Sequence, residues 1–348
     1  MKPGDQIAIA TPIFTPYMQI PNVNNYNLVC IDLNSTQENN WDIDESELRK
    51  LEDPAIKAFF LVNPSNPASH ALSERSLERL KKVVEKNPDL IILTDDVYGT
   101  FVNGFQTVYS ALPHNTILVY SFSKLYGVTG WRVGLIAMND DNVCDRLLSE
   151  LPEADRDFLR SEYDIVASEP DALPFLDRIV ADSRAIGLYH TSGLSTPSQV
   201  YMDLMALTHL VYGDEDPYIK LANDTVNKRY ETLLTALGLP VEDDARDARY
   251  YTVVDILALC ADQYGGDFAE WLRGGMTEIE FLNDLAQKEG VVLMYGPGFN
   301  APEGTVRISL ANLDAQDYEE IARRLFELLD GYYAEYEIAA GEALMPAA

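Results

Sequence analysis

The sequence has little of what membrane, secreted and metal-binding proteins need. It contains no run of about 18 apolar residues, so we expect no membrane-spanning helix. Residues Met1 to Asp5 are not a charged segment ahead of an apolar one, so no secretory signal is expected. The three cysteines, Cys30, Cys144 and Cys260, form no Cys-x-x-Cys pair, which argues against a disulfide framework or a zinc site. These absences predict a protein of the reducing cytoplasm that carries no metal ion.

Basic residues are also scarce. Lys and Arg total 26 against 56 Asp and Glu, so the formal net charge is −30. Such a surface repels phosphate backbones and anionic lipids, and neither a nucleic acid nor a membrane is expected as a partner. The chain has 348 residues, 47% of them hydrophobic. That length suggests about two domains, and the composition excludes wholesale disorder.

Short apolar runs alternate with helical patterns over the first 140 residues. Most of them are bounded by Pro, Asn, Asp or Ser, as buried strands are. The runs are Ile7–Ala10, Leu28–Leu33, Ala58–Val62, Leu90–Leu93, Ile117–Tyr120 and Val133–Ala137. Strands that alternate with helices predict an α/β fold with a mainly parallel sheet, and a ligand site at the carboxyl ends of its strands.

The pattern changes along the chain in a way that suggests two domains. We predict a large domain over residues 1–212, with an acidic helical insertion at about 142–185. Residues 226–335 are predicted to form a smaller α+β domain whose final helix runs through Leu329. The alanine-rich tail, residues 336–348, is predicted to be frayed.

Polar residues follow two of the predicted strands. Asn63-Pro64 and Asn66-Pro67 fix a rigid loop, which is either a simple turn or a means of holding an amide in place. Asp95 and Asp96 follow the next strand. An acid in that position is usually a cap or turn residue, and this is our interpretation of Asp96.

The fifth strand ends in two hydroxyls and a lysine, Ser121, Ser123 and Lys124, and Arg132 precedes the sixth. A lone lysine is normally a solvated surface residue. One that directly follows a buried strand favours Schiff-base chemistry instead. Two hydroxyls and a guanidinium suit the binding of a phosphate group.

Two other motifs are rejected. Ser121-x-x-Lys124 fits the motif of serine acyl enzymes, but the companion Ser-Asp-Asn and Lys-Thr-Gly motifs are absent. Residues 296–301 fit a relaxed dinucleotide fingerprint, but a predicted strand follows them where a helix is required.

Seven residues stand in an order and spacing that resemble aminotransferase-fold enzymes that use pyridoxal phosphate. They are Asn66, Asp95, Tyr98, Ser121, Ser123, Lys124 and Arg132. The match continues at residues 307–312. A closer resemblance, over nearly the whole chain, is to the aspartate 4-decarboxylases. It rests on residues 177–184, 190–197 and 298–302.

The resemblance implies a role for each matching residue. Lys124 would form the Schiff base with the cofactor aldehyde. Asp95 would pair with the pyridine nitrogen and make the ring an electron sink. Asn66 and Tyr98 would hydrogen-bond the phenolic oxygen of the ring.

Further roles concern the phosphate and the substrate. Ser121, Ser123 and Arg132 would hold the cofactor phosphate. Phe14 falls where this fold places an aromatic ring over the cofactor, although it could equally pack in the core. Arg307 would bind the α-carboxylate of the substrate bidentately.

The implied activity is removal of the β-carboxylate of L-aspartate, through a ketimine, to give L-alanine and carbon dioxide. The alternatives are an aspartate aminotransferase and an inactive, cofactor-free homologue. Ordinary aspartate aminotransferases clamp the side-chain carboxylate with an arginine at a place that falls near Thr191, and no arginine is present there. The resemblance also implies a homodimer or a higher homo-oligomer.

One departure concerns the beginning of the chain. In the family, an N-terminal arm, a first strand of the large sheet and a glycine-rich phosphate loop precede the position that matches Met1. We therefore expect a large sheet of six strands with the strand at 133–137 on its edge, and weakened cofactor binding.

Overall fold

The computed structural model describes residues 1–21, 27–185 and 195–343. The strands are β1 (Gln6–Thr11), β2 (Val29–Asn34), β3 (Ile56–Val62), β4 (Ile91–Asp95), β5 (Thr116–Ser121), β6 (Gly134–Ala137), β7 (Tyr251–Asp255), β8 (Met294–Tyr295) and β9 (Thr305–Ser309). The helices are α1 (Thr15–Gln19), α2 (Glu45–Arg49), α3 (Glu74–Lys86), α4 (Val108–Ala111), α5 (Val143–Ser149), α6 (Glu153–Tyr163), α7 (Phe175–Ala185), α8 (Thr196–Tyr212), α9 (Pro217–Ala236), α10 (Ile256–Tyr264), α11 (Gly266–Gly275), α12 (Glu278–Glu289) and α13 (Ala315–Ala343).

Within these residues the large sheet has six strands in the order β2-β1-β3-β4-β5-β6. Its pairs are parallel except β5 with β6, which is antiparallel. Each predicted apolar run overlaps one of these strands, and β6 lies at an edge. The predicted α/β fold class is confirmed, as are the six strands and the position of β6.

Helix α3 shows how the sequence covers one face of this sheet. The Ser73 side chain accepts a hydrogen bond from the backbone N–H of Ser76 and so caps the first turn. Leu77, Leu80 and Val83 are buried against the strands at the spacing of one helix face. The helix ends at Lys86, directly before Asn87 and Pro88.

A second sheet, β7-β9-β8, is antiparallel and packs with α10 to α13. Helix α9 lies between the two sheets: Val226 packs in the core of the large sheet, and Leu233 in that of the small one. This helix begins at Pro217, earlier than the predicted small domain. Helices α5 to α7 occupy the predicted insertion, and the domain boundaries remain a prediction.

The prediction of a frayed tail from residue 336 is wrong for the residues that the structure describes. Helix α13 continues to Ala343, well past the predicted end at Leu329. Tyr336 packs against Phe268 and Trp271, with ring centroids 5.7 Å from each, and this contact anchors the last turns. Alanine is also the best helix former, so an alanine-rich end extends a helix that is held in this way.

The described helices include none long and apolar enough to cross a membrane.

Candidate active site

The predicted site residues meet where the parallel strands end. Asn66 follows β3, and Asp95 is the last residue of β4. Ser121 is the last residue of β5, and Lys124 comes three residues later. These three strands are neighbours in the sheet. The carboxyl ends of parallel strands lie at one edge, which is why residues far apart in the sequence come together.

A chain of hydrogen bonds connects these loops to the small sheet. Asn66 Nδ2 donates to the Tyr98 hydroxyl, and that hydroxyl donates to the hydroxyl of Tyr251, each over 3.3 Å. Lys124 Nζ also donates to the Tyr251 hydroxyl, over 3.3 Å. Asn66, Tyr98 and Tyr251 are buried. Burial, and then the charge of a neighbouring Tyr251, raises the pKa of Tyr98 well above its usual value.

Asp95 is held by a residue that the sequence did not point to. The Tyr17 hydroxyl donates to Asp95 Oδ2 over 2.9 Å, and the Val97 backbone N–H donates to Oδ1 over 3.2 Å. Burial raises the pKa of Asp95, while these two hydrogen bonds and the charge of Lys124 act against that rise. A buried carboxylate in this position favours a positively charged partner.

Arg307 is aligned by both a hydrogen bond and two aromatic rings. Its Nη1 donates to Asn66 Oδ1 over 2.9 Å. The guanidinium carbon lies 4.2 Å from the ring centroid of Tyr251 and 4.5 Å from that of Phe299. Its buried Nε has no hydrogen-bond partner among the described residues. Burial lowers the pKa of Arg307, so an anion beside it would be favourable.

The predicted phosphate-binding residues lie on the other side of Lys124. Ser121 Oγ donates to Ser123 Oγ over 2.9 Å and accepts from the Ser123 backbone N–H over 3.2 Å. Ser121 and Arg132 line one open cavity beside β6. Arg132 is exposed, has a left-handed backbone (φ 56°), and donates from Nη1 to the Thr129 carbonyl over 3.1 Å.

Phe14 is not packed in the core, and Asp96 is not a simple turn residue. Phe14 is 41% exposed, so it is not a core residue, and it lies edge-on to Tyr17 with ring centroids 6.4 Å apart. Asp96 is only 3% exposed; its carboxylate accepts from the Thr94 hydroxyl, and its Oδ2 has no partner among the described residues. Burial raises the pKa of Asp96 to about 7. A plain turn residue does not have these properties.

The segments behind the closer resemblance have different outcomes. Residues 298–302 contribute Phe299 to the Arg307 stack, and the Phe299 carbonyl accepts from the Ile13 N–H over 2.9 Å. In the segment 177–184, Arg178 is buried and donates to the carbonyls of Leu173 and Pro170, so it stabilises the helical insertion. Residues 186–194 lie outside the described residues. They include most of the segment 190–197 and the place near Thr191.

Two residues of the site were missed by the sequence analysis, Tyr17 and Tyr251. Tyr17 follows Phe14 by three residues, which places it one helical turn further along, and this spacing was the available signal. Nothing in the spacing around Tyr251 marks it, because its partners Lys124 and Tyr98 are 127 and 153 residues away.

Comparisons with known proteins show what the chain as a whole is similar to. Residues 1–163 match the family model for aminotransferase class I and II. Over 343 residues, or 98% of the chain, the sequence is 42% identical to a bifunctional aspartate aminotransferase and L-aspartate beta-decarboxylase from a Pseudomonas species. The first 163 residues are thus similar to aminotransferases of class I and II, and nearly the whole chain is similar to the Pseudomonas enzyme. The chain spans 64% of the length of that Pseudomonas relative.

More distant proteins share the aminotransferase fold. An asparagine–oxo-acid transaminase from Streptococcus mutans is 25% identical over 89% of the chain and 67% of its own length. A double mutant of Thermus thermophilus aspartate aminotransferase superposes with a TM-score of 0.68 at 20% identity, covering 94% of this chain and 71% of that one. The predicted resemblance is therefore confirmed. Enzymes of this family and fold depend on pyridoxal phosphate.

The donor set fits that cofactor. An amine (Lys124) lies within the hydrogen-bonded network, and a buried carboxylate (Asp95) lies close enough for the two charges to interact. An amide and a phenol (Asn66 and Tyr98) are already hydrogen-bonded to one another. Ser121 and Arg132 line the same cavity beside β6, and the Ser121 hydroxyl donates to that of Ser123; hydroxyls and a guanidinium are groups that bind phosphate.

Proposed function

We propose that the chain catalyses the pyridoxal-phosphate-dependent removal of the β-carboxylate of L-aspartate, giving L-alanine and carbon dioxide. One observation carries the proposal: the amine of Lys124 and the guanidinium of Arg307 belong to the same hydrogen-bonded network. A catalytic amine and an anchor for a carboxylate are what an amino-acid substrate needs. The Pseudomonas relative is named for this decarboxylation together with aspartate transamination.

The residues divide the work between binding and proton transfer. When bound, the cofactor supplies an aldehyde that reacts with amines and a ring that accepts electrons. Arg307 binds the α-carboxylate through its planar fork, and Asn66 Oδ1 and the two rings keep that fork oriented. Lys124 Nζ removes the proton from the substrate Cα and returns protons later in the reaction.

Other residues set the charge of the ring. Asp95 pairs with the pyridine nitrogen, whose positive charge would offset the rise in pKa that burial causes at this carboxylate. Asn66 and Tyr98 hydrogen-bond the phenolic oxygen. Ser121, Ser123 and Arg132 would hold the phosphate, and Phe14, whose ring lies edge-on to that of Tyr17, would cover the ring of the cofactor.

A second activity, aspartate transamination, is proposed beside the first. The name of the Pseudomonas relative includes both reactions, and the Lys124–Arg307 network serves both equally. The absence of an arginine near Thr191 favours decarboxylation, because it leaves the departing carboxylate weakly held.

Product analysis tests the two activities. The purified chain is incubated with pyridoxal phosphate, L-aspartate and 2-oxoglutarate, and alanine and oxaloacetate are quantified. Alanine in excess supports the decarboxylase, and oxaloacetate in excess supports the aminotransferase. Failure to form either product would contradict both and would support the inactive homologue.

We further propose that the chain works in the cytoplasm as a homodimer or a higher homo-oligomer. Helix α8 supports the assembly, because its large apolar side chains are mostly exposed, among them Leu204, Leu207, Leu210 and Val211. Light scattering tests it: a monomer at micromolar concentration would contradict the proposal.

A further inference from the structure

We propose that Tyr251 is a positioning residue that sets the Lys124 amine and the Arg307 guanidinium relative to one another. Its hydroxyl would hold the amine, and the face of its ring would hold the guanidinium. This inference rests on the proposed function, since it concerns the same reaction. None of the sequence motifs includes Tyr251.

The two ends of the Tyr251 side chain make different contacts. The hydroxyl accepts hydrogen bonds from Lys124 Nζ and from Tyr98, both over 3.3 Å. The Arg307 guanidinium lies 4.2 Å from the ring centroid. Lys124 Nζ also lies 6.0 Å from that centroid. The hydrogen bond to Lys124 thus depends on the Tyr251 oxygen, and the Arg307 contact depends on the ring.

These contacts close a circuit. Arg307 donates to Asn66, Asn66 donates to Tyr98, Tyr98 donates to Tyr251, and the Tyr251 ring packs back on Arg307. Lys124 joins the circuit at the Tyr251 hydroxyl. The phenol of Tyr251 therefore sets the position of the Lys124 amine relative to the Arg307 guanidinium.

The backbone at Tyr251 is well placed to keep the phenol still. Tyr251 is 5% exposed and begins β7 of the small sheet, opposite Ser309. Its backbone N–H donates to Ser69 Oγ over 2.8 Å, and the Ser69 carbonyl accepts from the Ala248 N–H over 2.8 Å. Ser69 lies three residues after Asn66, so the same bonds tie the small sheet to the loop that aligns Arg307.

Because the contacts use different atoms, two substitutions separate them. Tyr251→Phe removes the hydroxyl and keeps the ring, whereas Tyr251→Leu removes both. Tyr250→Phe is the matched control: Tyr250 is the adjacent residue and is similarly buried. Its ring contacts Tyr98, Phe101 and Tyr251, and its centroid lies 5.8 Å from Lys124 Nζ; the phenylalanine keeps that ring. All variants are compared with the wild-type chain loaded with pyridoxal phosphate.

The first readout does not depend on turnover. The visible absorbance of the bound cofactor is titrated with pH, and Tyr251→Phe should shift its midpoint by about one unit, since one hydrogen bond to the amine is lost. In steady-state kinetics the same variant should lower kcat about tenfold and leave KM for aspartate and the Kd for succinate within about twofold. Tyr251→Leu should in addition raise KM and the succinate Kd about tenfold, because the stacked guanidinium is released.

Three outcomes would overturn the inference. One is a Tyr251→Phe variant whose absorbance titration and kcat match those of Tyr250→Phe. Another is a Tyr251→Phe variant that raises KM as much as it lowers kcat, which would indicate a general loss of structure. If Tyr251→Leu does not fold, the comparison of the two phenylalanine variants still decides. A wild-type chain with neither visible absorbance nor turnover would instead overturn the proposed function, and this inference with it.

Discussion

The two halves of the site are built differently. Asn66, Tyr98, Tyr251 and Arg307 form an inner half that is packed between the two sheets and bonded side chain to side chain. Ser121, Ser123 and Arg132 form an outer half along the edge strand β6, where Arg132 is exposed and bonds to a backbone carbonyl of its own loop. Leu135 and Ile136 of that strand are also exposed, at 42% and 41%.

This difference indicates which contacts hold the side chains of each half in position. Contacts between two sheets determine the inner half, so its side chains are aligned before any ligand arrives. The outer half lies at the end of β5 and in the loop before β6, and β6 has no further neighbour among the described residues. Variants of the inner half should therefore change the reaction, and variants of the outer half should change cofactor affinity.

The largest effect is expected at Lys124, where the halves meet. Lys124→Ala should abolish the visible absorbance and all turnover, because the amine that reacts with the cofactor aldehyde is gone. Borohydride reduction followed by peptide mapping checks this. Lys57→Ala, an exposed lysine on β3, is the control and should behave as wild type. A reducible adduct at another lysine would contradict the assignment.

The next comparison is between Asp95, the carboxylate proposed to pair with the cofactor ring, and its neighbour Asp96. Asp95→Asn should lower kcat about 100-fold or more, because the buried carboxylate that pairs with the ring nitrogen is neutralised. Asp96→Asn should cost far less, since its carboxylate bonds to Thr94 and not to the network. Kinetics of both variants at saturating cofactor measure the difference. Equal losses would mean that the wrong carboxylate has been chosen, or that both act through folding.

For the outer half we expect an effect on affinity. Arg132→Ala should weaken the binding of pyridoxal phosphate by about one to two orders of magnitude, which corresponds to the loss of one charge-assisted hydrogen bond. At saturating cofactor its kcat should stay within about threefold of wild type. An absorbance titration with the cofactor measures the affinity, and the exposed Arg273→Ala is the control. A normal affinity would remove Arg132 from the phosphate site.

The smallest effect is on stability, at Asp96. Burial raises its pKa from the ordinary value of 3.8 to about 7 in the folded protein, so between these pH values the folded state holds a proton that the unfolded state releases. The stability this contributes is complete below about pH 4 and is lost as the pH rises towards 7. Asp96→Asn should remove this dependence and become the more stable protein at pH 8, by up to a few kcal/mol.

Urea unfolding at pH 4.5 and pH 8 measures how the free energy of unfolding of wild type and Asp96→Asn depends on pH. The exposed Asp262→Asn is the control and should show the same pH dependence as wild type. If the Asp96→Asn and wild-type free energies of unfolding differ by the same amount at both pH values, the buried carboxylate does not carry the proton.

Much of the fold and part of the site could be predicted. The six apolar runs span four to six residues each, and such runs are typical of strands in an α/β sheet. The sequence did not show that the runs of the two edge strands, β2 and β6, would be largely exposed. Asn66, Asp95, Ser121 and Lys124 could be placed because each directly follows one of these strands. Helix α13 could not be bounded, because what extends it is ring contact with Phe268 and Trp271, more than 60 residues earlier.

The sequence by itself determined which segments form strands and which chemical groups stand at their ends. Both depend on local apolar runs and on the residues that terminate them. Only the tertiary structure decided which side chains complete the site. Tyr17 reaches Asp95 across 78 residues and Tyr251 reaches Lys124 across 127, and it is sheet packing that closes these separations. Asp95, the last residue of β4, bonds to Tyr17, whereas Asp96, just after the strand, is buried beside Thr94.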